Sequence, residues 1–161
     1  MAIELSSAGV TLQWAAETES GTRPTTGYTK ISGIKSTPDL NPETDSLEVT
    51  DLSDTEYKRY IGGLKDVGGD MAFGANNTQE FQNNWKALCE KYAQGAAQNL
   101  GMWFAIVIPG LDDAFYVSVV PQPLGLSAIE VSSVLEIDAY ASPKKIEGWA
   151  AKPTTTDETG L

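Results

Sequence analysis

Apolar and polar residues alternate with a period of two over residues 9–15, which puts Val10, Leu12 and Trp14 on one side of a half-buried strand. Residues 17–26 hold Gly, Pro, Ser and four Thr and read as a loop. Residues 28–34 lean towards strand but are interrupted by Gly33, and 36–45 carry Pro38 and Pro42 as an irregular link. Alternation returns over 46–52, with Leu47 and Val49 on one face. Residues 51–66 have no sustained period and contain Gly62-Gly63, so they read as a long loop, a length that is usually functional or mobile in a compact domain. A glycine-rich strand is expected over 67–74, with Met71 and Phe73 on one face.

The spacing predicts one helix, over 77–97. Asn77 and Glu80 form a capping-box-like start, and Phe81, Trp85, Leu88, Cys89 and Tyr92 fall on a single apolar stripe. The core helix stripe is Phe81, Trp85, Leu88 and Tyr92. Residues 102–108 are continuously apolar, the mark of a central strand covered on both faces. A turn over 109–113 leads back through a strand at 115–120. A long alternating strand is expected over 127–140, with Ile129, Val131, Leu135 and Ile137 facing one way and Glu130, Ser132, Glu136 and Asp138 the other. The resulting fold class is mainly β: an antiparallel sandwich or partial barrel with one flanking α-helix. Residues 1–145 form one domain. Residues 1–8 read as an arm, and 146–161 as a polar tail whose end is disordered.

Composition narrows the chemistry. The chain has 161 residues, no histidine and one cysteine, Cys89. Histidine-based catalysis, histidine-ligated metals and intramolecular disulfides are therefore excluded. Cys89 lies on the helix stripe and reads as a small buried hydrophobe. There are 22 acidic and 11 basic residues, a formal charge of -11, which disfavours binding to phosphate backbones. Residues 1–7 lack the pattern of a secretory signal, and no apolar run approaches the ~20 residues of a membrane helix.

Specific chemistry is scarce. Asp51, Asp54 and Glu56 cluster, but without the glycine and terminal glutamate of a calcium loop. Asp112 and Asp113 suit a turn. No carboxylate pair stands out for glycoside hydrolysis, and Gly62-Gly63 and Gly68-Gly69 lack phosphate-loop spacing. Trp14, Trp85 and Trp103 sit on apolar faces, leaving only Trp149 peripheral as a sugar platform. The expectation is no enzyme and no cofactor. The 51–66 loop stands out instead, because Tyr57, Lys58, Arg59, Tyr60 and Ile61 combine the aromatic, basic and apolar groups favoured at interfaces. Packing of this loop onto its own sheet is the alternative.

Residues 46–66, followed by Phe73-Gly74-Ala75-Asn76, Phe81 and Trp85, resemble the major tail tube proteins of long-tailed, non-contractile bacteriophages. The resemblance covers roughly residues 8–140. It implies six-membered rings of identical subunits, each adding strands to one continuous barrel, stacked into the tail tube of the virion and assembled in the host cytoplasm. The long loop, with Asp54, Glu56, Tyr57, Lys58, Arg59, Tyr60, Ile61 and Leu64, would reach the neighbouring ring and order on assembly. The partners implied are the chain itself, the tape-measure protein, and tail-tip and terminator proteins; DNA only passes through. Glu130, Glu136 and Asp138 are candidates for a wet, DNA-repelling lumen face. A carbohydrate-binding module and a ring-forming tail completion protein are the other readings.

Overall fold

The computed structural model describes residues 5–6, 8–41, 43–66 and 70–153. The first strand, β1 (Thr11–Ala16), is followed by two short ones, β2 (Thr29–Ile31) and β3 (Ile34–Ser36). A hairpin comes next, β4 (Glu43–Glu48) and β5 (Tyr60–Asp66), then β6 (Met71–Asn76), the helix α1 (Gln79–Ala96), β7 (Met102–Val107), β8 (Asp113–Pro121) and β9 (Glu136–Ala151). The fold is mainly β with one helix, as expected from the sequence.

Seven strands form one antiparallel sheet in the order β2-β1-β7-β8-β9-β6-β3. Its two edge strands are consecutive in the chain and separated only by Ser32 and Gly33. That turn draws the ends of the sheet together and nearly closes it into a barrel. Gly33 adopts φ 88°, a conformation open to glycine at no steric cost. Its carbonyl accepts the Asn76 N–H of β6 at 2.9 Å.

The helix lies against one face of the sheet. Phe81, Trp85 and Leu88 are fully buried there with Phe73, Phe104, Val117 and Ile137, and Tyr92 and Cys89 pack at the margin. Trp85 meets Phe81 and Phe104 at 6.0 Å between ring centroids and donates its indole N–H to the Gln122 carbonyl at 2.7 Å. The aromatic surface is thus buried with its polar atom satisfied. Thr78, one residue after the expected cap, accepts the Phe81 N–H at 3.1 Å. Asn99, at φ 60°, ends the helix: Leu100 N–H bonds the Gly95 carbonyl at 3.0 Å and Asn99 N–H the Ala96 carbonyl at 3.1 Å. This is a Schellman closure with asparagine in the left-handed position.

Four expectations are corrected. First, residues 60–66 are strand β5, paired with β4, so the proposed 51–66 loop shrinks to a hairpin tip. The glycines that read as breakers occur within the ladder, Gly62 opposite Ser46. Second, residues 127–135 form no strand despite their alternation; the ladder of β9 begins at Glu136. Third, β9 continues through Pro143 and the lysines to Ala151, so residues 146–151 are not tail. Register shifts between Tyr116 and Val117, and between Ser118 and Val119, absorb the extra residues as bulges, and Gly148 takes φ 92° beside the first. Fourth, the glycine-rich strand begins at Met71. Positions 67–69, most of the arm over 1–8, and residues 154–161 of the tail lie outside the described residues.

Candidate functional site

Among the described residues the β4–β5 hairpin pairs only with itself and forms a separate two-stranded sheet. Among the described residues it contributes nothing to either buried core. Leu47 and Ile61 stand directly opposite each other across the ladder, as do Glu48 and Tyr60. Cross-strand apolar pairs stabilise a hairpin, yet Leu47, Tyr60 and Ile61 all remain exposed. At the tip Leu52 is fully exposed and Tyr57 is 80% exposed. The side chain of Leu64 lies outside the described residues.

The tip is knitted, not structureless. Val49 N–H bonds the Arg59 carbonyl at 2.8 Å, and Arg59 N–H bonds Thr50 Oγ1 at 2.8 Å. The Arg59 guanidinium sits 2.8 Å from Asp54 Oδ2 and 3.4 Å from Asp51 Oδ2. Asp51 also accepts the hydroxyl and amide of Ser53, which hold its carboxyl below the usual carboxylate range. The Asp51 backbone hydrogen bond and the Arg59 side chain lower Asp54 likewise. Two members of the acidic cluster therefore have a partner in Arg59, and among the described residues no group of acids is arranged to hold a metal. Glu56 and Lys58 are exposed and make no ion pair among the described residues. The tip presents Tyr57 and Lys58 outward while Arg59 organises the turn.

The expected lumen residues separate. Glu136 and Asp138 alternate outward along β9, against Ile137 and Ala139 in the core. Glu136 forms an ion pair with Lys35 of β3. Glu130 lies instead in the connection between β8 and β9, where its carbonyl accepts the Ser133 hydroxyl at 3.0 Å.

A second polar arrangement was not foreseen. Glu17 is 6% exposed, just beyond β1. Its carboxylate accepts the Gly101 N–H at 2.8 Å, the Trp103 indole N–H at 2.7 Å and the Gly21 N–H at 3.1 Å. Burial raises its pKa, but these three donors outweigh it and the net shift is downward. Tyr116 shares a second buried cluster with Trp103, and Arg23 lies 4.1 Å from the centroid of its ring and bonds Glu147 at 2.6 Å. Tyr28 tilts against the same ring and is shifted upward chiefly by burial. These groups fasten the 17–28 loop to the sheet. Cys89 is half-buried with its Sγ 3.7 Å from the Gln122 carbonyl, and burial pushes its thiol up, as suits an unreactive packing residue.

No protein-family model matches the chain, and no curated protein matches it. A solved structure does. The chain is similar to one in the cryo-electron-microscopy structure of the anti-feeding prophage (AFP) baseplate, six-fold symmetrised, with a TM-score of 0.61. The likeness covers 92% of this chain and 97% of that one at 6% sequence identity. At that identity it is the fold that is shared. Both chains are spanned almost completely, so the likeness includes the arrangement of the barrel as a whole.

Proposed function

We propose that this protein is a structural subunit of a phage tail or tail-like particle, and that its copies join into six-membered rings that stack as a tail tube. The observation that carries the reading is the whole-chain likeness to a chain of a six-fold-symmetrised prophage baseplate. The exposed apolar β4–β5 hairpin, an arm beside the barrel, supports it, since a hairpin whose described apolar side chains join neither buried core needs a partner. The same arm is the segment that carries the resemblance to tail tube proteins of non-contractile phages. In this reading the arm spans adjacent rings, the rings enclose the conduit for DNA during ejection, and the tape-measure, tip and terminator proteins are the further partners. The subunit resides in the virion and is assembled in the host cytoplasm. It holds no cofactor and catalyses no reaction. A related ring-forming component at the end of a tail is the second reading, favoured by the neighbour's place in a baseplate.

Negative-stain electron microscopy with sedimentation velocity, across protein concentration, tests this. Hollow rings or tubes of six-fold symmetry are expected. Monomers at every concentration, with and without preformed tail tips, would overturn it.

A further inference from the structure

Among the described residues, most exposed large hydrophobic side chains fall into two groups. One is the arm: Leu47, Leu52, Tyr57, Tyr60 and Ile61. The other is the connection between β8 and β9: Leu126, Ile129, Val131, Val134 and Leu135. There Val131 is 94% exposed and Leu126 78%. Together they exceed the scattered surface hydrophobes that need no explanation.

The connection is held in place while its apolar side chains stay in water. Asp138 N–H bonds Ser127 Oγ at 3.1 Å, and Asn77 N–H bonds the Leu135 carbonyl at 3.0 Å. Its sequence alternates like a strand, yet no ladder forms there in the single chain. Local pattern and isolated fold disagree, which is expected where a partner supplies the missing neighbour.

We infer that residues 126–135 are the docking strip for the hairpin arm of a second copy of this chain. Three features select that occupant. Both surfaces remain exposed in one molecule, so neither covers the other within a chain. They are of one chemical kind, and the arm offers unpaired strand edges to a strand-patterned segment. Their charges also match. Arg59 is engaged by Asp51 and Asp54, which leaves Lys58 as the basic group of the tip without an ion pair among the described residues. Glu136 is engaged by Lys35, which leaves Glu130 on the strip unpaired in the same sense. Two different surfaces meeting between identical chains make a heterologous contact, which closes a ring or propagates as a stack. This inference rests on the self-assembly reading above and identifies the receiving surface.

The test uses full-length chains in a Cys89→Ser background. One protein carries Ile61→Cys, the other, tagged to differ in size, Val131→Cys. After mild oxidation under assembling conditions, the mixed 61–131 disulfide dimer is expected in clear excess over both symmetric dimers. Separately, Ile129→Ser with Val131→Ser should raise the concentration needed for assembly at least tenfold, about the effect of 1.4 kcal/mol per contact. Circular dichroism and melting of the free chain should be unchanged, because both side chains are already solvated. Assembly of the parent chain without mixed dimers, or with the double variant unaffected, would overturn this inference and leave the assembly reading standing. Absence of any assembly by the parent, with and without preformed tail tips, would overturn both. A double variant that forms normal rings but fails to join another tail protein would reassign the strip and overturn the second-copy assignment.

Discussion

Replacing Glu17 by Gln takes away the charged acceptor for three N–H groups and places an amide among donors. Buried donors left without an acceptor cost about 1–3 kcal/mol, so Glu17→Gln should lower the melting temperature by several degrees at neutral pH. The pH dependence has a definite sign. The folded-state pKa is held below the ordinary glutamate value of 4.5, so as pH falls the unfolded chain takes up the proton first. The contribution of Glu17 is full above about pH 4.5 and is lost as pH falls through the folded value. Melting curves from neutral to acid pH should therefore converge between parent and variant at the acid end. A constant gap at all pH values would contradict the account. None of this was legible in the sequence, because Glu17 reads as loop and its partners Gly101 and Trp103 are 84 and 86 positions away. The helix stripe was legible for the opposite reason: Phe81, Trp85 and Leu88 carry their burial in local spacing.

At the scale of elements, the arm and the barrel are separable in energy. Val49 and Arg59 are hydrogen-bonded across the hairpin, so residues 50–58 can be replaced by Asn-Gly, a dipeptide suited to a two-residue turn. The barrel core uses nothing from that tip. The shortened chain should keep its circular dichroism spectrum and melt within about 2 °C of the parent, the range of surface changes. Light scattering should show that it no longer assembles, since Leu52 and Tyr57 are gone. Normal tubes from the shortened chain would remove the arm from the interface. The extent of this element was half legible. Alternation revealed the strand around Leu47, but Gly62 and Gly63 masked β5, because glycine lowers strand propensity without preventing a ladder. At 127–135 the error ran the other way: the alternation is real, but among the described residues no strand forms a ladder with it. In β9, Pro143 and the lysines read as an end, whereas two bulges carry the strand past them. Tertiary pairing decided each case, and a single sequence does not display it.

For the whole molecule, the formal charge of -11 acts on every encounter between copies. Like-charged subunits repel over about 30 Å at 0.01 M salt but only about 8 Å at 0.15 M. The contacts inferred here are chiefly apolar, with one opposite-charge pair between Lys58 and Glu130. Screening therefore removes more repulsion than attraction. The concentration required for assembly should fall several-fold as salt rises across that range, as measured by light scattering at equilibrium. Neutralising Glu56, which is exposed near the tip without an ion pair among the described residues, should shift assembly in the same direction at low salt and have little effect at 0.15 M. If salt instead dissolved the assemblies, attraction between opposite charges would dominate the contact. The apolar arm and strip would then be secondary to ion pairs that the free chain does not form.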